Sequence, residues 1–293
     1  MTIETAVPLS RWTTIGTGGP ARAFAQPETV AELESAVRWA AEQELAARAI
    51  GLGSNLLVAD AGVDALVLRL TGELAEVHVD RDVLVAGGGA TNALCLHRAR
   101  AAGLGGFEFA CAIPGTAGGG VWMNAGAYGS DWAAILVRAL VVTAEGSRWL
   151  RPAELGLTYR HSDLRPGQIV ATVEYRLEPR PVAEIKERVA ELLAQRKATQ
   201  PTNRRTFGSV FKNPPGELGA GRLIELSGLK GHRIGGAVIS PVHANFIENA
   251  GAATSADCLA LIDEARRRVS QQHGMVLEPE VVLLGDVSPA PIA

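Results

Sequence analysis

The sequence predicts a mixed fold of short strands and amphipathic helices, divided into two parts near residue 180. Three observations predict it. Short apolar runs rich in β-branched residues, each closed by turn residues, fill the first part. Two long stretches with helical apolar periodicity lie beyond it. Pro179 and Pro181 punctuate the chain between the two. At 293 residues there is material for one large domain or two of ordinary size.

In chain order, the first helix runs from Thr29 to about Glu42. Thr29 and Glu32 make a capping-box pattern, and Val30, Leu33, Val37, Ala40 and Ala41 form one apolar stripe. Strands follow at Ala65 to Leu70, Val77 to Val79, Val83 to Ala86 and Leu136 to Thr143. Gly103 to Gly129 is too interrupted for regular structure throughout. Ile169 to Leu177 alternates as a strand and ends at the prolines. Val182, Ile185, Val189, Leu192 and Leu193 then mark an amphipathic helix to about Lys197. Ala220 to Leu226 is helix-like, and Leu259, Ile262, Ala265 and Val269 mark one face of a helix from about Ser255 to Gln272. Ala237 to Ser240, Phe246 to Glu248 and Val281 to Leu284 read as strands, and Pro289 to Ala293 as a proline-rich tail. The expected domains are therefore 1–180 and 181–293.

Hydrophobic residues make up 47% and charged residues 20%, the balance of a soluble globular protein. The net charge of −3 gives no global attraction to nucleic acid or to a membrane surface. Cys95, Cys111 and Cys258 are odd in number and lack C-x-x-C spacing, so a reduced intracellular chain with small buried thiols is expected. No secretory signal and no apolar run of membrane-spanning length is evident, and no histidine pair has zinc-helix spacing. The expectation is a cytoplasmic protein without a metal.

The 33 glycines cluster. Ile50-Gly-Leu-Gly-Ser-Asn-Leu-Leu-Val58 could expose backbone N–H groups to an anion such as a pyrophosphate, or simply turn between strands. It is not a Rossmann fingerprint, because Leu56 stands at the third glycine and no helix opens at Val58. Ala112 to Gly129 is longer, and a backbone so stripped of side chains can lie against an extended ligand. Thr17-Gly-Gly-Pro20 is a third, milder patch. Together they point to an extended cofactor with a diphosphate. Gly208-Ser-Val-Phe-Lys-Asn-Pro214 adds a hydroxyl, a cation and an amide within five residues, able to grip an anionic substrate and to place a proton.

These stretches resemble one family, UDP-N-acetylmuramate dehydrogenase, also called UDP-N-acetylenolpyruvoylglucosamine reductase. The matching segments are Thr14 to Ala21, Gly51 to Val58, Ile113 to Gly119, Met123 to Gly129, Tyr159 to Ser162, Gly208 to Pro214 and Leu277 to Val281. They occur in the family's order over almost the whole chain. Leu52 and Val282 depart from the family's usual glycine and arginine, and the short Arg160-to-Ser209 spacing resembles the shorter second subclass, which lacks the insertion carrying a substrate-capping tyrosine. The resemblance implies an α+β chain. A two-part FAD-binding region of the vanillyl-alcohol-oxidase type would precede a smaller α+β substrate-binding domain.

The implied reaction reduces UDP-N-acetylglucosamine enolpyruvate to UDP-N-acetylmuramate, with NADPH as reductant and non-covalent FAD. The chain would act as a monomer. Gly51, Gly53, Ser54, Asn55 and Leu56 would hold FAD, with Pro114, Gly115, Thr116, Gly118, Gly119, Asn124, Ala125 and Gly126. Arg160 would steady the charge developing on the substrate carboxylate, because a guanidinium can bind a carboxylate through two parallel bonds. Ser209 would donate the proton. Glu280 would polarise the developing enol or hold the proton network, as a buried carboxyl of raised pKa. Tyr159, Lys212 and Asn213 would contact substrate, and His161 and His243 would be structural. The alternatives are a flavin-dependent sugar or alcohol oxidase and an inactive flavin-binding relative. The first is disfavoured because Arg48 to Val58 contains no histidine to tether a flavin, the second because Arg160, Ser209 and Glu280 are all present.

Overall fold

Leu136–Thr143 and Ile169–Arg176, two long β-branched runs, lie side by side in a five-stranded sheet of the computed structural model, which describes residues 1–291. The sheet is antiparallel, in the order 146–150, 136–143, 169–176, 83–87 and 77–80. A four-stranded sheet takes Ile3–Pro8, Pro20–Ala25, Val63–Leu68 and Ala46–Ala49 in that order, the last two parallel. Between these strands in sequence comes α1 (Val30–Glu42), capped by Thr29 Oγ1 accepting the Glu32 N–H. Glu32 Oε2 accepts from Glu28 N at 2.8 Å, one residue before the partner a capping box requires. Leu33, Ala36, Val37 and Ala40 bury against Ala47, Leu66 and Leu68. Ala41 is exposed and Ala36 is buried in the helix instead, because the stripe follows Leu33 by three, four and seven residues.

Two helices arise where none was expected. Thr91 caps α2 (Asn92–Ala101), whose short side contributes Cys95, Leu96 and Ala99 to the core. The glycine-rich run forms α3 (Ala117–Met123). Its glycines are explained by packing: a Cβ on Gly118 would lie 2.9 Å from the Gly88 carbonyl oxygen, and one on Gly120 would enter the Trp132 indole. The helix is glycine-rich because its neighbours are close. The last helix of this unit is α4 (Val182–Thr199), with Ile185, Val189 and Leu192 buried. Leu193, expected on the same stripe, is exposed.

The two compact units are discontinuous in sequence. The first holds residues 1–5, 22–52 and 64–196; the second holds 6–21, 53–63 and the chain from 197. The boundary expected near 180 does not separate them. Pro179 and Pro181 end a strand, but Ile185 and Val189 carry α4 back into the core formed by Phe107, Trp132 and Tyr175.

In the second unit an antiparallel sheet runs in the order 206–209, 246–249, 237–239 and 233–234. It packs with α5 (Ala220–Leu226) and α6 (Ser255–His273) around Phe207, Phe211, Ile239, Ile247 and Ile262. Here the capping box is complete, at Thr254 and Asp257, and Gly274 at φ 66° ends the helix. Asp60 accepts from Ser255 N and Ala256 N, tying segment 53–63 to this helix. Leu56–Val58 pairs in parallel with Val282–Leu284. Cys95 and Cys258 are buried thiols whose pKa burial pushes up to about 12, so both stay protonated at neutral pH; Cys111 is half-buried. In the proline-rich tail, residues 292 and 293 lie outside the described residues.

Candidate active site

The first unit contributes the loop before α3, that helix, and the Thr158 to Ser162 turn. Asn92 fixes the loop twice: its N–H donates to the Gly115 carbonyl and its Nδ2 to the Ile113 carbonyl, both at 3.0 Å. Ala117 N and Gly118 N donate to the carbonyls of Ala90 and Gly88 at 2.9 Å, and Thr116 Oγ1 accepts from Gly119 N. The helix's first N–H groups are therefore occupied by protein acceptors. Gly51 lies against this cap, since a Cβ there would sit 2.5 Å from Thr116 Oγ1.

Asn124 ends α3 in the left-handed region (φ 38°), with its side chain fully engaged. Its Nδ2 donates to the Thr158 carbonyl and to Asp131, and its Oδ1 accepts from Ala133 N. Asn124 N and Ala125 N close onto the Val121 and Gly120 carbonyls, and Gly126 is required by its approach to Ser130 and Asp131. Among the expected flavin contacts, these three residues shape the loop.

Thr158 anchors a turn that Ser162 Oγ also pins, donating to the Trp122 carbonyl at 2.6 Å. Arg160 sits in this turn at φ 53°, a left-handed conformation costing about 1–2 kcal/mol in an L-residue. Such strain is often held at functional positions. Its Nη2 donates to the Gly126 carbonyl, and its guanidinium lies 4.9 Å from the centre of the Tyr159 ring. Tyr159 is 52% exposed. Arg160 thus belongs to the same local assembly as the second glycine cluster.

The second unit brings Ser209 and Glu280 to one peptide. Glu280 N and Val281 N both donate to the Val210 carbonyl, at 2.8 and 3.3 Å, and Val210 follows Ser209. The first glycine loop is stitched to the same place. Asn55 Nδ2 donates to the Glu280 carbonyl at 3.2 Å, and the Asn55 carbonyl accepts from Val282 N at 3.0 Å. Gly53 must be glycine, at φ 66° and against the Trp12 carbonyl. A Cβ on Gly208, at φ 78°, would lie 3.2 Å from the Ser54 carbonyl. Ser209, Glu280 and residues 53–56 therefore form one cluster.

Some expectations change here. Glu280 is half-buried, not buried, whereas Glu278 is 69% exposed and pairs with Lys212 Nζ at 2.6 Å. Lys212 is occupied by that carboxylate. Asn213 Oδ1 accepts from Ala220 N at 3.0 Å, so the side chain caps α5 and is left with its amide N–H groups to offer a ligand. Gly18 and Gly19 meet Val58 and Asp60, so the Thr17–Pro20 patch is explained by packing of the chain on itself. His161 Nε2 lies 3.2 Å from Asp163, and His243 Nδ1 accepts from Asn245 N. Asn92 escaped the sequence reading because nothing in an Asn after a Thr cap distinguishes a loop clamp from an ordinary helix start.

Gly119 tests the fit of a flavin. It is exposed, has no left-handed backbone, and a Cβ on it would meet only Thr116 Oγ1, at 3.4 Å. Packing does not explain this glycine, whereas a ligand lying on that face would require it. Gly119→Ala should stabilise the flavin-free protein by roughly 0.5–1 kcal/mol, the helix-propensity gain. Gly119→Val should fold but weaken FAD binding about tenfold or more, since a ligand against a glycine cannot keep its place. Thermal melts of apoprotein and fluorescence titration with FAD measure both effects. Unchanged FAD affinity in Gly119→Val would remove this face from the cofactor site.

Comparison with known proteins supplies the class. Residues 21–149 match the FAD binding domain family, and residues 200–284 match the UDP-N-acetylenolpyruvoylglucosamine reductase C-terminal domain. An FAD-dependent oxidoreductase with an α+β C-terminal domain is the class these matches define. UDP-N-acetylenolpyruvoylglucosamine reductase 2 of Symbiobacterium thermophilum is 46% identical, over 97% of this chain and 92% of its own. The reductase of Anaeromyxobacter dehalogenans is 47% identical over 98% and 87%. The crystal structure of the Thermus caldophilus reductase superposes with a TM-score of 0.84 at 42% identity, covering 97% of this chain and 99% of the other. The chain belongs to the UDP-N-acetylenolpyruvoylglucosamine reductase family.

Proposed function

We propose that the chain reduces the enolpyruvyl ether of UDP-N-acetylglucosamine enolpyruvate to the lactyl ether of UDP-N-acetylmuramate, using NADPH, in peptidoglycan precursor synthesis. One observation supports a site for it beyond the family likeness. A hydroxyl and a carboxyl, those of Ser209 and Glu280, are carried on backbone bonded at Val210, in the cluster that also holds residues 53–56 of the first glycine loop.

The chemistry FAD would supply, when bound, is transfer of a hydride drawn from NADPH to the methylene carbon of the substrate. Gly51, the 53–56 loop, Pro114 to Thr116 and Gly119 are the residues that would hold it. The remaining chemistry belongs to the side chains. Hydride addition leaves a pair of electrons on the ether-bearing carbon, delocalised into the adjacent carboxylate. Arg160 offsets that charge through its fixed positive guanidinium. Ser209 gives its hydroxyl proton to the ether-bearing carbon, completing the new C–H bond. A hydroxyl is a weak acid, so the basicity of the carbanion and the neighbouring positive charge drive the transfer. Glu280 donates a hydrogen bond from its carboxyl O–H to the developing enolate oxygen. Tyr159 and the Asn213 amide bind the nucleotide sugar, and Lys212 joins them by exchanging the Glu278 carboxylate for the diphosphate.

The same reading makes the enzyme a cytoplasmic monomer without a nucleic-acid or membrane partner. No helix among the described residues is long and apolar enough to cross a membrane. An absorption spectrum followed by anaerobic NADPH addition tests the function. Denatured protein should release FAD at about one per chain, as expected of non-covalent binding. NADPH should bleach the native flavin, and the enolpyruvyl nucleotide should restore the colour without oxygen. A flavin that precipitates with the protein, or one that only oxygen reoxidises, defeats the proposal.

A further inference from the structure

Asn245 is 4% exposed and makes four hydrogen bonds, three of them to one dipeptide. Its Oδ1 accepts from Phe211 N at 3.0 Å and its Nδ2 donates to the Phe211 carbonyl at 2.8 Å. Its own carbonyl accepts from Val210 N at 2.9 Å. Its N–H donates to His243 Nδ1 at 3.2 Å. That last bond requires Nδ1 to be the unprotonated ring nitrogen. Desolvation lowers the His243 pKa and favours the neutral ring that can accept. On the other edge of the same dipeptide, the Val210 carbonyl receives Glu280 N and Val281 N. Val210–Phe211 is therefore held from both sides, with Ser209 immediately before it and Lys212 immediately after.

The local strand pairing explains why a side chain is needed. The ladder between 206–209 and 246–249 is out of register between Thr206 and Ser209, where Gly208 takes φ 78°. A register shift of this kind re-aims the side chains that follow it. A regular ladder therefore does not fix the direction of Ser209. A primary amide offers one donor and one acceptor side by side, as a strand peptide does, and so can pair with both backbone groups of Phe211. No other neutral side chain of that length carries both groups in that geometry.

We infer that Asn245 is a positioning residue for the substrate half-reaction: by clamping Phe211 against the Glu280 segment it sets Ser209 Oγ where the proton is delivered. This rests on the reading of Ser209 as the proton donor. Asn245 acts through the backbone, so its loss should appear only in the step that uses Ser209.

The test is anaerobic stopped-flow on the flavin-loaded Asn245→Ala, Ser209→Ala and doubly substituted proteins beside the wild type. Asn245→Ala should retain one FAD per chain and be reduced by NADPH within about twofold of the wild-type rate. Reoxidation at saturating substrate should slow about tenfold or more, with a larger solvent deuterium isotope effect, as for a misplaced acid. The double variant should be no slower than Ser209→Ala, because the two substitutions remove one and the same device. Multiplying losses, or normal reoxidation in Asn245→Ala beside a slow Ser209→Ala, overturn the positioning role alone. Normal reoxidation in Ser209→Ala overturns the proton-donor reading and this inference with it. Should Asn245→Ala lose its flavin, hydrogen exchange of the wild-type enzyme decides. A Phe211 amide as protected as the Ile239 and Ile247 amides supports the clamp, and rapid exchange defeats it.

Discussion

Ser209→Ala is expected to leave reduction of the flavin by NADPH nearly unchanged and to slow reoxidation by the enolpyruvyl substrate by about 10²-fold or more, the scale of a positioned acid. The two halves separate because only the second requires a proton at carbon. The substitution removes one oxygen from a half-buried position and leaves the backbone pairing of Ser209 with Phe246 in place. Stability should therefore move by no more than about 0.5 kcal/mol, as for most changes away from the core. Stopped-flow traces of each half, with flavin content and a thermal melt as controls, give the answer. Equal losses in both halves would place the defect at the flavin or in the fold, and Ser209 would not be the acid.

Much of the fold was legible because periodicity reports burial. Leu136–Thr143 has the bounds its apolar run predicted, and α6 begins at Ser255 as expected. The misses share a cause: a local pattern cannot see a distant contact. α2 has few large apolar residues and shows no clear stripe, yet Cys95 and Ala99 suffice because the opposing surface is close. α3 looked irregular because two of its three glycines, Gly118 and Gly120, are explained only by Gly88 and Trp132, which lie elsewhere in the chain. The prolines before α4 read as a domain boundary, while the side chains that keep the helix with the first unit, Ile185 and Val189, lie after them.

The candidate site was legible as motifs, Gly208 to Pro214 around Ser209 and Tyr159 to Ser162 around Arg160. It was less so where polar residues serve the scaffold. Asn124, Asn213 and Asn55 each spend side-chain hydrogen bonds on the protein, at Thr158, Ala220 and Glu280 respectively. A sequence shows an amide but not its partner, and a buried amide is more often satisfied by backbone than by ligand. Asn245 illustrates the same limit from the other side. It lies 36 residues after Ser209, and only the paired strands bring it to Phe211.

Glu280→Gln and Glu278→Gln should differ sharply, although two residues separate them. Glu280 enters the Val210 and Asn55 network through its N–H and carbonyl, both of which glutamine retains, so flavin content and stability should stay near the wild type. Glutamine keeps the volume but has no acidic proton and no charge. If Glu280 carries the proton network, reoxidation by substrate should fall by about 10²-fold, while NADPH reduction stays within a small factor. Glu278 is 69% exposed and ion-paired to Lys212, whose side chain is 20% exposed, so the carboxylate end of the pair faces solvent. Such a pair contributes about 0–1 kcal/mol, so Glu278→Gln should cost little stability. Its kinetic effect should lie in substrate affinity, because Lys212 loses its carboxylate and is freed for the diphosphate, with the reoxidation rate at saturation unchanged. Stopped-flow reoxidation over a range of substrate concentrations separates the two parameters. A crippled Glu278→Gln beside a normal Glu280→Gln would move the acidic role two residues toward the N-terminus, and the cluster at Val210 would lose its carboxyl.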